Sequence, residues 1–183
     1  EIAVTSLHAT GDFKVMRRMN LSQDSRFARK ATAHPRIGLC LDTETTGLNP
    51  ACDKIIELGI VAFLYDPLTA GIIKIIDRYA GFEDPGFPLS AETTAITGIT
   101  DNMVSGKSFD EAHVCRLADQ ASLVIAHNAA FDRKFVEARY PVFSGMPWAC
   151  SITQIDWHAE RITTRVLEYL LFKFGWFINA HRA

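Results

Sequence analysis

Apolar and polar residues follow one another along this chain in runs whose length and period predict strands first and then alternating helices and strands. Residues 37–42 are a short apolar run that ends in polar residues and glycine, which is typical of a buried central strand. Residues 55–65 and 72–79 are rich in β-branched and aromatic side chains and predict two more strands. Because the links between these runs are short, the three strands are expected to form an antiparallel meander.

The second half of the chain predicts helices separated by strands. Helices are expected at 90–97, 108–118, 129–139 and 164–174, and strands at 122–126 and 148–152. Ser108 and Glu111 have the spacing of a capping box, so the second of these helices is expected to begin at Ser108. Pro141 and Gly175 are suited to end the third and fourth helices. A hairpin region followed by β-α-β alternation indicates an α/β fold around a mixed sheet.

Length and composition indicate one globular domain. The chain has 183 residues, of which 48% are hydrophobic and 22% are charged. No apolar run approaches the roughly 20 residues needed to cross a membrane, so no membrane partner is expected. The first residues lack the pattern of a signal peptide, which favours a cytoplasmic location. Since the chain starts at Glu1 and not at Met, we expect that a few residues precede it in the complete protein.

The charges are unevenly distributed between an N-terminal segment and the rest of the chain. Residues 1–36 carry seven basic and three acidic residues, whereas the remainder carries 12 basic and 18 acidic ones. We therefore divide the chain into a basic extension, 1–36, and a domain, 37–183. The extension is either an arm for nucleic acid or a protein partner, or a solvated segment. The acidic body suits an enzyme that collects divalent cations. The net charge of the whole chain, −2, argues against nucleic-acid binding by bulk electrostatics.

The four cysteines do not have the spacing of a metal site. They are far apart and form no CxxC pair, which argues against zinc and favours reduced thiols. Cys40 and Cys150 lie in apolar runs and are expected to be buried as small hydrophobic residues.

The segment Leu41–Gly47, with the sequence LDTETTG, carries the first candidate chemistry. Alternate residues of a strand face the same side, so Asp42 and Glu44 are expected to project together while Thr43 points away. Two carboxylates at the end of an apolar strand repel each other unless a cation lies between them. Oxygen ligands of this kind suit Mg²⁺ or Mn²⁺. The competing interpretation is that both acids only cap the following turn.

A second group of candidate residues, His127 to Asp132, stands at the junction of strand 122–126 with the next helix. Asp132 falls in the first turn of that helix, where the helix dipole favours a carboxylate. His127 either orients this loop or contacts a phosphate, and a structural role is the alternative. If the two strands are neighbours in the sheet, Asp132 comes close to Asp42 and Glu44.

Taken in order, DxETTG, HNxxFD and a late His-Arg-Ala resemble the DnaQ-like 3′→5′ exonucleases that use a catalytic histidine. This family includes the proofreading epsilon subunit of bacterial DNA polymerase III, RNase T and oligoribonuclease. The resemblance extends over about Ile37 to Ala183. It also includes three further segments, which are Ile55–Gly59, Thr97–Val104 and Trp148–Ser151.

The resemblance implies a ribonuclease-H-like α/β sandwich and phosphodiester hydrolysis with two divalent metal ions, Mg²⁺ or Mn²⁺. Asp42 would bridge both ions, Glu44 would bind the ion nearer the attacking water, and Asp132 would hold the other. His181 matches the general base that takes a proton from that water. The residues expected to contact the terminal nucleotide are Thr45, Gly47 and Asn128.

One feature of the family's pattern is missing from this chain. The family places a fourth metal-binding acid five residues after the histidine, at position 186, and the chain ends at Ala183. We expect that the complete protein continues past this point and supplies the acid. Aspartate at 186 would support an enzyme, whereas alanine or lysine there would favour a module without catalysis.

Three functions are compatible with the sequence. The leading hypothesis is an exonuclease that acts on nucleic acid with a free 3′ end, with DNA favoured over RNA, and that has a DNA polymerase subunit as a candidate partner. The second is an RNA-trimming exoribonuclease, because no residue pattern identifies a 2′-hydroxyl site. The third is a non-catalytic module that binds nucleic-acid ends or a polymerase.

Overall fold

The computed structural model describes residues 2–18 and 34–177. These residues belong to two compact units, one made of 34–155 and the other of 2–18 together with 156–177. His181 lies outside the described residues, and its predicted role as general base stays a prediction.

The larger unit is built on a five-stranded mixed sheet. Its strands are β2 (Arg36–Thr45), β3 (Ile55–Tyr65), β4 (Ile72–Phe82), β5 (Leu123–Ala126) and β6 (Trp148–Cys150). Their spatial order is β4-β3-β2-β5-β6. β2, β3 and β4 pair antiparallel, and β5 pairs parallel with β2 and with β6. The predicted antiparallel meander and the predicted mixed sheet are both confirmed.

Four helices belong to the same unit: α2 (Ala91–Thr97), α3 (Asp101–Val104), α4 (Glu111–Gln120) and α5 (Ala129–Arg139). A 3₁₀ turn, Pro141–Phe143, follows α5, since proline cannot continue the α-helical hydrogen bonding. Ser90 accepts a hydrogen bond from the Thr93 N–H and caps α2, and Gly98 ends it with a positive φ of 71°. The helix predicted at 129–139 is confirmed residue for residue.

Strand alternation places the main core on one face of the sheet. Leu39 and Leu41 of β2 are buried, with exposed fractions of 0% and 4%, and they lie in a cluster with Val114 of α4 and Val136 of α5. Both helices contact β2. Burial of large aliphatic side chains contributes roughly 1.5–3 kcal/mol each. The packing of these two helices against β2 thereby places the main core on this face of the sheet.

The start of α4 differs from the prediction. The helix begins at Glu111, and its cap is Asp110, whose carboxylate accepts a hydrogen bond from the His113 N–H at 2.9 Å. Phe109, between the predicted and the observed cap, is buried and packs edge-on against Tyr79. Because that contact holds Phe109 in the core, the helix starts after it, and the expectation that Ser108 is the cap was wrong.

The cysteine prediction is partly corrected. All four cysteines are free, as expected. Cys40 is exposed, however, and Cys150 is only partly buried, so neither is the buried hydrophobic residue that its apolar neighbours suggested. Cys40 alternates with the core residues Leu39 and Leu41 and therefore faces the other side of the sheet.

The smaller unit contains α1 (Ile2–Ala9), β1 (Arg17–Arg18), α6 (Leu167–Lys173) and β7 (Trp176–Phe177). β1 pairs parallel with β7, so part of the predicted basic extension is ordered against residues near the other end of the chain. A small core forms around Trp157, Ile162 and Leu170. The helix predicted from residue 164 begins at Leu167, since the Thr164 hydroxyl accepts the Val166 N–H and competes with the first helical turn.

None of the helices in the described ranges combines the length and the apolar character that a membrane crossing requires.

Candidate active site

The site lies where β2 continues beyond its neighbour β5. The parallel pairing of the two strands ends with Cys40 opposite Ile125, while β2 runs on to Thr45. Along this free stretch, Asp42 is exposed, Thr43 is buried and Glu44 is partly exposed. The alternation agrees with the predicted common face of the two acids, with Thr43 on the opposite side.

Asp132 meets this stretch from α5. Its side chain is only 2% exposed. Its Oδ1 accepts two hydrogen bonds from one residue, the Thr43 backbone N–H at 3.0 Å and the Thr43 hydroxyl at 2.8 Å. Asp132 also lies in the first turn of the helix, as predicted. A contact across 89 positions of sequence thus joins the two candidate motifs.

Asp132 is in an environment that disfavours its charge. Burial, and to a smaller extent the nearby charge of Asp42, raises the pKa of Asp132 to about 6, although the hydrogen bonds from Thr43 act in the opposite direction. The charge of Asp42 thus acts on the ionisation of Asp132. Perturbed carboxyl groups of this kind are concentrated at functional sites.

The donor set fits a divalent cation. Asp42 and Asp132 offer hard oxygen ligands, and a cation near both would offset their repulsion and the cost of burying Asp132. Within the ranges that the structure describes, no three His, Cys, Asp or Glu side chains are gathered closely enough to hold one ion. Among the described residues, Glu44 is therefore not grouped with both Asp42 and Asp132.

The loop after β2 is held by Asp53. Its carboxylate accepts hydrogen bonds from the Thr46 hydroxyl at 3.1 Å and from the Asn49 N–H at 2.9 Å. The Thr45 hydroxyl donates to the Gly47 carbonyl at 2.6 Å. A Cβ on Gly47 would lie 2.5 Å from each carboxylate oxygen of Asp53, closer than any real contact. A side chain at position 47 would therefore require the Asp53 carboxylate or the loop to shift.

Gly47→Ala is expected to raise the KM for a nucleic-acid substrate by about tenfold to a hundredfold, with a smaller effect on kcat. Overpacking of this kind costs roughly 1–3 kcal/mol, and the loop relieves it by moving. Displacement by about 1 Å weakens substrate positioning on that scale. Steady-state kinetics on a labelled oligonucleotide measures the two constants.

Gly81→Ala is the matched control, because its Cβ would lie 2.4 Å from the Tyr79 hydroxyl, away from the loop. It should cost stability and leave KM near the parent value. An unchanged KM in a folded Gly47→Ala variant would contradict the predicted role of the loop.

Two exposed apolar residues near this loop were not singled out from the sequence. Leu48 is 84% exposed and Ile96 of α2 is 72% exposed. α2 is tied to the loop, since the Thr93 hydroxyl donates to the Thr46 carbonyl at 3.0 Å. The sequence offered one signal for Leu48, which is an aliphatic residue directly after Gly47 in a polar loop. Such a residue is common and by itself does not indicate a binding surface.

The HNxxFD segment forms the junction of β5 and α5. Asn128 is exposed and precedes the helix with a positive φ of 75°, a conformation in which asparagine is enriched. His127 Nδ1 and the Ser151 hydroxyl are 2.8 Å apart, which ties the ends of β5 and β6 together. The contact with Ser151 orients His127 at this junction. A phosphate contact by His127 and a substrate contact by Asn128 stay predictions.

Comparison with known proteins gives one family and several relatives. A family model of exonucleases, that of RNase T, matches residues 39–183. The PolC-type DNA polymerase III of Thermotoga maritima is 33% identical over 156 residues, which cover 84% of this chain and 10% of that protein. The PolC-type enzyme of Listeria welshimeri is 41% identical over 101 residues, covering 54% of this chain and 6% of that protein. The chain thus spans a tenth or less of the length of these relatives.

Solved structures also resemble the chain. Escherichia coli Exonuclease I aligns with a TM-score of 0.48 and 19% identity, over 63% of this chain and 28% of that one. Exonuclease X aligns with a TM-score of 0.48 and 24% identity, over 80% of this chain and 81% of that one.

The fold and the order of the motifs agree with the family match. The mixed sheet with flanking helices has the predicted ribonuclease-H-like α/β architecture. The matched region begins in β2, just before Asp42, and includes β5, α5 and Asp132. The DnaQ-like exonuclease family that the motifs predicted is confirmed, and the chain therefore belongs to the RNase T exonuclease family.

Proposed function

We propose that this chain is the catalytic domain of a metal-dependent exonuclease that hydrolyses phosphodiester bonds at the 3′ end of DNA. The observation that carries the proposal is the junction of the two motifs, where Thr43 binds a buried Asp132 beside Asp42. A buried carboxylate near a second carboxylate of the same charge does not stabilise a fold. A cation-dependent reaction gives a reason for keeping both.

The choice of DNA rests on the relatives. The similar proteins of Thermotoga maritima and Listeria welshimeri are PolC-type DNA polymerases III. By this relation we propose a proofreading or repair role, with a DNA polymerase subunit as partner. The chain matches only a small part of those proteins, so the partner is part of the proposal.

Each of the catalytic residues has a proposed role in metal binding or proton transfer. Asp42, Glu44 and Asp132 would hold two divalent ions, Mg²⁺ or Mn²⁺. When bound, such a pair stabilises charge on the attacking and the leaving oxygen of an in-line displacement. His181 would take the proton from the attacking water.

Substrate binding would fall to the loop after β2 and to the junction before α5. Thr45, Gly47 and Asn128 would bind the terminal nucleotide. The exposed side chains of Leu48 and Ile96 provide apolar surface on which unpaired bases can pack. Because bases reach such a surface only when unpaired, single strands should be degraded faster than duplex, in which unpairing costs a few kcal/mol.

A 5′-labelled oligonucleotide is expected to shorten stepwise from its 3′ end in Mg²⁺ or Mn²⁺ and to stay intact in EDTA. The products should be mononucleotides, and single-stranded DNA should react faster than duplex. Gel analysis of 5′-labelled and 3′-labelled DNA strands measures the direction directly.

Matched RNA oligonucleotides and a closed circular DNA complete the experiment. Faster shortening of RNA would shift the function to an exoribonuclease. Nicking of the circle, or shortening from the 5′ end, would contradict the assignment. Binding of DNA ends without hydrolysis in any divalent metal would support a non-catalytic module.

A further inference from the structure

Thr43 stands between the two acids of the first motif, in the position whose side chain was expected to point away from the site. It does point away from the face of Asp42 and Glu44, and it is only 6% exposed. Its hydroxyl is nevertheless used, because it donates to Asp132 Oδ1 at 2.8 Å.

The sheet explains why Thr43 is available for this contact. β5 ends at Ala126, and its pairing with β2 ends at Cys40. Farther along β2, the N–H of Thr43 donates to Asp132 and not to a strand. Asp132 therefore takes the place of a strand partner, and the hydroxyl adds a second bond to the same oxygen.

Two donors on one oxygen restrict a carboxylate more than one donor does. The backbone N–H and the hydroxyl of Thr43 both act on Oδ1, at 3.0 and 2.8 Å, and together hold it in place. The position of Oδ1 in turn sets the rotation of the carboxylate about its bond to Cβ. With Oδ1 occupied in this way, the orientation of Oδ2 is also determined. Both side chains are buried, so solvent does not compete for these bonds.

We propose that Thr43 is a positioning residue, which holds Asp132 by Oδ1 and thereby presents Oδ2 to a divalent cation shared with Asp42. This inference rests on the proposed metal-dependent function. Groups that orient metal ligands typically change metal affinity or activity by about 10–100-fold when they are removed. Thr43 would thus connect the first motif, on β2, to the second motif, on α5.

The test compares Thr43→Val with Thr43→Ser in the purified chain. Valine keeps the shape and the backbone N–H and removes the hydroxyl, whereas serine keeps the hydroxyl and removes a methyl group. Mn²⁺ affinity is measured without substrate by electron paramagnetic resonance. Turnover on single-stranded DNA is measured against Mn²⁺ concentration. Thermal melting in EDTA shows that each variant is folded.

Thr43→Val is expected to weaken Mn²⁺ binding by about tenfold or more and to regain most of its turnover at saturating Mn²⁺, because the ligands themselves remain. Thr43→Ser should stay within about threefold of the parent in affinity, since the bond to Asp132 is kept. A role in packing alone would give the opposite order, with serine the worse replacement.

Ser122→Ala is the control, because it removes a hydroxyl that donates to the carbonyl of Ile37, near the start of β2 and away from Thr43. It should leave Mn²⁺ affinity unchanged. A folded Thr43→Val that binds Mn²⁺ like the parent, or a Thr43→Ser that loses as much as Thr43→Val, overturns the role of Thr43 alone. A parent that binds no Mn²⁺ and hydrolyses nothing overturns the proposed function, and this inference with it.

Discussion

Asp132→Asn is expected to lower turnover by about 10³-fold or more while it makes the metal-free protein more stable above pH 6. The loss of turnover follows from removing one proposed metal ligand, because metal stabilisation of the reacting oxygens contributes several kcal/mol and each 1.36 kcal/mol is a tenfold rate change. The gain in stability follows from the buried position of Asp132, which is only 2% exposed.

The direction of the pH effect follows from the raised pKa of Asp132. Its pKa is raised from 3.8 to about 6 by burial and by Asp42. Between these values the folded protein holds a proton that the unfolded chain has lost, so stability falls as the pH rises. The cost corresponds to about 3 kcal/mol once the group is ionised, at 1.36 kcal/mol per pH unit. Asparagine keeps an oxygen that accepts from Thr43 and carries no charge.

Chemical denaturation in EDTA, repeated from pH 4 to pH 8, measures this effect. The variant and the parent should be similar near pH 4 and differ increasingly up to about pH 7. Asp119→Asn, an exposed acid on α4, is the control and should give no such divergence. A variant that is less stable than the parent at pH 8, or one that keeps full activity, would be incompatible with a buried metal-binding role for Asp132.

His181→Ala is expected to slow turnover by about 10²–10⁴-fold in the complete protein, which is the usual contribution of a general base. Mn²⁺ affinity should be unchanged, because the proposed ligands Asp42, Glu44 and Asp132 are retained. Single-turnover kinetics at saturating Mn²⁺, together with a direct binding titration, separates the two effects.

His158→Ala, which removes an exposed histidine, is the control for loss of an imidazole. Its turnover should match that of the parent. If His181→Ala stays within about a factor of two of the parent, His181 has no part in the mechanism. The histidine-dependent branch of the family would then not describe this protein.

Local sequence determined most of the elements. Residues 55–65 are strand as predicted, because β-branched and aromatic side chains pack well in a pleated sheet. Helix α5 has its predicted bounds, because Pro141 stops it and its apolar positions face the core. The period of two also placed Asp42 and Glu44 on one side of β2 and Thr43 on the other.

Tertiary packing overrode local signals at two places. The sequence predicted Ser108 as the cap of α4, whereas the burial of Phe109 against Tyr79 moved the cap to Asp110. An apolar run likewise predicted a buried Cys40. The residue is exposed because its neighbours in sequence, and not Cys40 itself, face the helices.

What only the tertiary structure decided is the contact between Thr43 and Asp132. Periodicity gives the side of the strand on which a residue lies, but not what lies opposite it 89 positions away. That depends on where β5 stops beside β2, which is set by the pairing of Cys40 with Ile125 and by the packing of α5. The sequence alone therefore determined the family, the sheet and the candidate acids. Their arrangement required the register of two strands and a helix, because hydrogen bonds between distant residues form only when packing has fixed the backbone of both.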